Sequence, residues 1–361
     1  MQYIYQNPDW AHFYWDKEKI LLLLADIKYK QGLLIGKMRN LGVGEQNNAD
    51  LDINSFNIVN SAEIEGEFLD IREVRASIAR RFGIKNDEDI KISKEVDGMV
   101  DMSIDAAQNF NLPITKERLF KWHKSLFPRE NSIYKITAGR FRSGLMQVVS
   151  GAIGRETVHF EAPPADVLDK EMDAFLDWVN NDGKEDLIIK AAIAHLWFVI
   201  LHPFDDGNGR IARAIIDMLL SKAENSDKRF YSMSSQILIM RNSYYSALEI
   251  TQKSSLDITA WLIWFLQCLG LAIDNAHIIL KNILDKHHFL QRAADLKLNP
   301  RQRKIINSLF KNFKGKLTSS KWAKITKISQ DSANRDIDEL LKNGLLIKIG
   351  AGRNTCYELS K

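Results

Sequence analysis

The sequence predicts a mainly α protein with one small β-hairpin near its middle and a tail of three helices and two strands. Three observations carry that expectation. Apolar residues recur at helical spacing, as in RIARAIIDMLL over 210–220. One segment, 134–164, gathers β-branched and aromatic residues broken by Gly139, Gly144, Gly151 and Gly154. After Asn299 three helical stretches run into a strand, a Gly-rich turn and a second strand. With 361 residues there is room for two or three domains and a sizeable core, and 45% hydrophobic with 27% charged residues is the composition of a soluble globular chain.

The elements follow in order. Residues 1–50 are expected to form a helical cap, whose opening aromatics (Tyr3, Tyr5, Trp10, Phe13, Trp15) pack against the main domain and whose helix covers 17–41. The start lacks the basic residues and apolar run of a secretory signal. Residues 51–68 read LDINSFNIVNSAEIEGEF. There Ser61 and Glu65, four apart, share a face of a short helix over about 55–66 that Gly66 ends. Residues 85–130 are mostly helical, and 119–127 stop at Pro128. His123 lies there without a carboxylate or second histidine at ligand spacing, so it belongs to the core or an interface. The hairpin occupies about 134–160, and helices resume over 165–180 and 187–200. His195, among Ala, Ile, Leu, Trp and Phe, is a core histidine. The most apolar stretch, 258–273, is short for a bilayer and contains Thr259, Gln267 and Gly270, so it reads as a buried helix with no membrane role. Cys268 and Cys356 are the only cysteines; they suggest neither a disulfide framework nor a zinc site and fit a reducing cytoplasm.

The net charge of +4 is unevenly spread. Residues 301–361 hold 14 Lys and Arg against five Asp and Glu, a net of +9, which leaves −5 for the rest. The main domain is therefore expected over 51–297 and a basic module over 298–361. The module's helices (301–313, 318–328, 329–343) and closing strands resemble a winged helix-turn-helix, a fold that sets its third helix in the major groove of DNA. Lys321, Lys324, Lys327, Arg335 and Arg353 would meet phosphates. The third helix also carries Asp331, Asp336, Asp338 and Glu339, which phosphate would repel, so DNA and protein partners both stay open.

The chemistry concentrates in LHPFDDGNGRIAR, residues 201–213. Pro203 and the Gly207-Asn208-Gly209 turn disfavour helix before position 210, so the turn is expected at a helix N-terminus. Glycines there let several N–H groups converge, and the helix dipole adds positive charge, which makes an anion hole. Arg210 and Arg213, three apart, face the same side and can clamp phosphate oxygens. Asp206 can hold a magnesium ion that bridges phosphates. His202 can take a proton from an attacking hydroxyl.

Together these residues match H-x-F-x-[D/E]-G-N-G-R-x-x-R at every fixed position: His202, Phe204, Asp206, Gly207, Asn208, Gly209, Arg210 and Arg213. The chain thereby resembles the Fic family of nucleotidyl transferases. The resemblance implies transfer of AMP from ATP, with Mg2+, to a Ser, Thr or Tyr hydroxyl of a protein target, with pyrophosphate leaving. It makes His202 the base, Asp206 the magnesium ligand, and Gly207, Asn208, Gly209, Arg210 and Arg213 nucleotide contacts, with Phe204 anchoring the loop. It also implies that Ser61, Glu65 and Gly66 belong to an inhibitory helix whose Glu pairs with Arg213, or that Glu65 positions water for removal of AMP. Met146, Gln147, Val148, Val149, Ser150 and Gly151 would form the edge of a flap that pairs with the target by strand addition. A tyrosine near the adenine is assigned to Tyr244. Relatives often modify themselves and form homodimers, and both are expectations here. The alternative is a DNA-binding regulator whose core senses nucleotide without transferring it.

Overall fold

The computed structural model describes residues 3–84, 90–128, 136–151, 155, 157–181, 183–294, 296, 298–310, 313 and 315–360. Among them are fourteen α-helices and two small two-stranded sheets, the mainly α architecture anticipated from the sequence. The N-terminal aromatics fold back as expected. Trp10 and Phe13 meet Trp197 edge-on, and the Trp10 indole N–H donates to Glu171 at 2.7 Å. Helix α1 (Lys17–Arg39) starts at Asp16, whose carboxylate accepts from the N–H groups of Glu18 and Lys19.

Helix α2 (Val43–Ile64) differs from expectation in length. It runs for 22 residues, so Ser61 lies in the last turn of a long helix and not in a short separate one. Gly66, at φ 84°, ends it. The Glu67 N–H reaches back to the Ala62 carbonyl and the Gly66 N–H to Glu63, the six-to-one and five-to-two bonds of a Schellman cap. Helices α3 (Ile71–Arg81), α4 (Lys94–Gln108) and α5 (Lys116–Leu126) follow, capped by Asp70, Ser93 and Thr115. Strands β1 (Gln147–Ser150) and β2 (Thr157–Glu161) pair antiparallel, Gln147 opposite Glu161 and Ser150 opposite Thr157, with a bulge at Val148/Val149. The hairpin's start at 134–135 and its turn at 152–154 lie outside the described residues.

Helix α6 (Leu168–Asn180) leads to α7 (Leu187–Leu201), which is apolar except for Lys190 and His195 and buried at every position from 188 to 201, as a largely hydrophobic helix must be. It packs against α8 (Asn208–Glu224), and the two form the centre of the core. After α9 (Met233–Ile239) and α10 (Arg241–Gln252) comes α11 (Thr259–Ala294). Its residues Thr259–Leu280 are long and apolar enough to cross a membrane by length and composition. The helix is longer than the 16-residue apolar run suggested, because it continues past Asp274. Half of that window is buried: Trp261, Phe265 and Leu269 lie in the core, and the Trp261 N–H donates to the Ala192 carbonyl at 2.8 Å.

The chain divides into two compact units, Met1–Ala276 and His277–Lys361. In the second, α12 (Pro300–Phe310), α13 (Ser319–Thr326) and α14 (Gln330–Lys342) precede strands β3 (Leu346–Ile349) and β4 (Cys356–Leu359), which pair antiparallel. Its core gathers Ile305, Trp322, Ile337, Leu340 and Leu346, and takes in Phe289 and Ala293 from before Asn299. Two acids of α14 are already engaged. Asp336 is buried and paired with Arg301 at 2.8 Å, and Glu339 accepts from Gln302 at 2.9 Å. The side chain of Arg353 lies outside the described residues.

Candidate active site

The site begins where α7 stops. Its C-cap, His202, adopts left-handed backbone (φ 47°, ψ 58°), rare for a residue with a side chain, and Pro203 then prevents continuation. The His202 Nδ1 faces the Val199 carbonyl at 3.2 Å. A carbonyl only accepts, so Nδ1 carries the proton and Nε2 keeps a lone pair, the tautomer a base needs. Desolvation in the fold holds the ring's pKa below its ordinary value, and the positive charge of Arg142 adds to that.

The loop between α7 and α8 is locked from within. Asn208 accepts from the Phe204 N–H at 2.9 Å and donates to the Phe204 carbonyl at 2.8 Å, so its side chain staples the loop and does not point outward. Phe204 is fully buried and stacks on His123, 4.2 Å between ring centroids. Of the two glycines of the motif, only Gly207 needs positive φ (79°), and a Cβ there would meet Leu126 and Phe127 at 3.1 Å. Helix α8 therefore starts at Asn208, two residues before the predicted position, because Asn208 and Gly209 can already be helical. No side chain caps its N-terminus. The first N–H groups of such a helix, with the dipole behind them, are an anion seat.

A carboxylate of the protein approaches that seat. A Cβ added at Gly209 would fall 2.0 Å from the Glu65 Oε1, so Glu65 lies directly against the first turn of α8. The Arg213 Nη2 pairs with the same Oε1 at 2.8 Å. Arg213 is 2% exposed; it also donates to the Ser61 hydroxyl at 2.9 Å and the Ser61 carbonyl at 2.7 Å, while its Nη1 is buried without a hydrogen-bond partner among the described residues. Ser61, Glu65 and Arg213 thus come together, the pairing that the resemblance implied. Unanticipated is Glu67, which pairs with Arg210 at 2.6 Å. Burial raises its pKa, and the neighbouring Arg210 opposes that rise. A signal did exist: Glu67 stands two residues past Glu65 and just beyond the helix-ending Gly66.

The segment 137–144 cradles the loop from the other side. The Thr137 N–H donates to Asp205 at 3.0 Å, the Gly139 N–H to the Nδ1 of His123 at 2.9 Å, and the Arg142 N–H to the Pro203 carbonyl at 2.9 Å. His123 must then carry its proton on Nε2, which faces the Asp206 carbonyl at 3.2 Å. Burial pushes its pKa down to about 4. It is a core histidine, as its lack of ligand-spaced partners suggested, but one that supports the motif loop. Beyond the cradle, Gln147–Ser150 form β1, whose second edge pairs with no strand among the described residues; Met146 accepts from the Ala162 N–H, and Gly151 follows β1 at φ 107°.

Tyr244 requires correction. Its ring is 2% exposed, packed near Trp261 and Trp264, with its hydroxyl 2.8 Å from the Nε2 of His195. It leaves no face for an adenine. Tyr245, 40% exposed and hydrogen-bonded to the Ile64 carbonyl, is the outer member of the pair. Sequence alone could not rank two adjacent tyrosines on a helix of unknown rotation.

Asp206 is the magnesium ligand that the resemblance implies. Its side chain is 52% exposed and, among the described residues, accepts from the Gly207 N–H and lies 3.4 Å from Arg210. No group of three or more His, Cys, Asp or Glu capable of holding a metal occurs among the described residues. A hard cation that keeps its waters and shares substrate phosphates needs only one or two carboxylates, so Asp206 fits that role.

Comparison with known proteins places these features. The Fic/DOC family model matches residues 113–220, and a domain of unknown function, DUF4172, matches residues 3–84. A protein adenylyltransferase Fic from Nematostella vectensis is 38% identical over 92 residues, 25% of this chain and 19% of the relative. One from Drosophila willistoni is 27% identical over 222 residues, 60% of this chain and 40% of the relative. The chain spans less than half the length of these curated relatives. Among solved structures, a Fic family protein from Desulfovibrio desulfuricans G20 shares the fold with a TM-score of 0.55 at 21% identity, covering 96% of this chain and 97% of that one.

Proposed function

We propose that the chain, whose residues 113–220 match the Fic/DOC family model, is a protein adenylyltransferase held in a self-inhibited state. ATP would place its phosphates at the N-terminus of α8, between Arg210 and Arg213. A hydroxyl of a protein target, aligned by the open edge of β1, attacks the α-phosphorus. The new bond joins the target oxygen to AMP, pyrophosphate leaves, and the hydroxyl proton passes to Nε2 of His202. Asp206 would hold Mg2+ beside the phosphates, where the ion supplies charge neutralisation.

The observation that carries this reading is the position of Glu65. Its carboxylate lies against the anion seat and pairs with Arg213, so the protein places its own anion where a terminal phosphate would bind. Removing it should free both. Incubating Glu65→Gly with ATP labelled on the α-phosphate or on the γ-phosphate tests the reaction class. Protein-bound label from the α-position alone is expected. Label from the γ-position would mean phosphoryl transfer and overturn the proposal.

A further inference from the structure

We propose that Arg142 is a positioning residue that locks the turn bearing His202 to the root of the flap hairpin. The inference rests on the transferase reading above. Arg142 is 4% exposed and forms no ion pair with a carboxylate among the described residues. Its guanidinium spends its donors on backbone carbonyls instead. Nε reaches His202 at 2.8 Å, Nη1 reaches Gly144 at 2.8 Å, and Nη2 reaches Pro163 at 2.6 Å and Leu201 at 3.3 Å.

These partners fall into two sets. Leu201 and His202 offer carbonyls at the C-terminus of α7, which lack helical partners and sit at the negative end of the dipole. Gly144 and Pro163 stand just outside β1 and β2, one on each arm of the hairpin. One planar head therefore fastens the left-handed His202 turn and both arms of the hairpin in a common frame. Four of the guanidinium's five N–H donors are thereby used, and the fork of an arginine can reach four carbonyls where a lysine ammonium, with three donors, cannot. The consequence is that a target strand paired with β1 and the base that receives its proton are set at a fixed distance. A loosening of about 1 Å there costs roughly a hundredfold in rate. Desolvation lowers the pKa of the His202 ring, and the positive charge of Arg142 adds to that.

The test compares Arg142→Lys, Arg142→Gln and Arg142→Ala in the Glu65→Gly protein. Expected is a fall in kcat of roughly a hundredfold for Arg142→Lys, with KM for ATP changed less than about twofold, and partial rescue of Arg142→Ala by added guanidinium. Full kcat in Arg142→Lys, or equal loss in kcat and ATP binding, overturns the proposal. The second readout needs no turnover. The NMR signals of the His202 ring should shift in Arg142→Gln relative to the parent as the turn that bears it loosens; an unchanged spectrum also overturns it. Should the parent Glu65→Gly transfer no AMP, the transferase reading fails while the spectrum still decides the placement of Arg142.

Discussion

At His202 the residue type, the backbone and the proton are set by different neighbours. Pro203 stops the helix, Arg142 holds the carbonyl, and Val199 fixes the tautomer with Nε2 free. The lowered pKa gives a sign to the pH dependence. A base must be neutral, so transfer should persist as pH falls to 6.5 and fail only below it, and His202→Ala should lose roughly 10²- to 10⁴-fold at all pH values. A rate profile whose acid limb lies above 6.5 would contradict this. Most of this chemistry was legible, because His202, Asp206, Gly207, Arg210 and Arg213 fall within one short stretch. Their supports were not. His123 and Arg142 lie far from that stretch in sequence, and their hydrogen bonds are with backbone carbonyls and N–H groups, which leave no pattern of side-chain types to read.

At the scale of elements, the contact of Ser61 and Glu65 with Arg213, proposed above as self-inhibitory, belongs to the end of α2. Asn57 donates to Asp217 of α8 at 2.7 Å, four residues before Ser61 meets Arg213, so the register of α2 on α8 is pinned upstream of the contact. Release then requires only the end of α2 to fray or shift, and the Schellman cap at Gly66 is the structure that must open. Glu67 rides on the same cap. Because it is partly exposed, its pairing with Arg210 is screened, and Glu67→Gln should raise the transfer rate by roughly two- to fivefold, less than Glu65→Gly. Steady-state rates of the two variants check this; an equal or larger gain in Glu67→Gln would contradict the ranking. The spacing of Ser61 and Glu65 was readable as a shared helical face. The length of α2 was not, since along it Asp50, Ser55 and Asn57 are buried, and tertiary packing overrides its polar composition.

Across the whole molecule, the mainly α fold followed from apolar periodicity, and the one β segment followed from its glycines and β-branched residues. Helix ends and the rotation of α10, which decides between Tyr244 and Tyr245, depended on packing. That packing has a measurable cost at low pH. His123 and His195 are both fully buried, with pKa values lowered by burial to about 4 and about 3. The unfolded chain binds protons on them near 6.5, so their contribution is complete above that pH and is lost as pH falls. Each should remove about 2 kcal/mol of stability by pH 5. Denaturant unfolding at pH 7 and pH 5 checks it: the loss should shrink in His123→Gln, and an unchanged slope would contradict the assignment.

The central claim is that this chain transfers AMP and that Glu65 restrains it. Intact-mass spectrometry after incubation with ATP and magnesium tests it most directly, on wild type, Glu65→Gly and His202→Ala. Whole AMP additions are expected in Glu65→Gly, few in wild type and none in His202→Ala. Nucleotide bound by Glu65→Gly with no AMP added to it or to a supplied protein, or additions in His202→Ala at the rate of its parent, would contradict it.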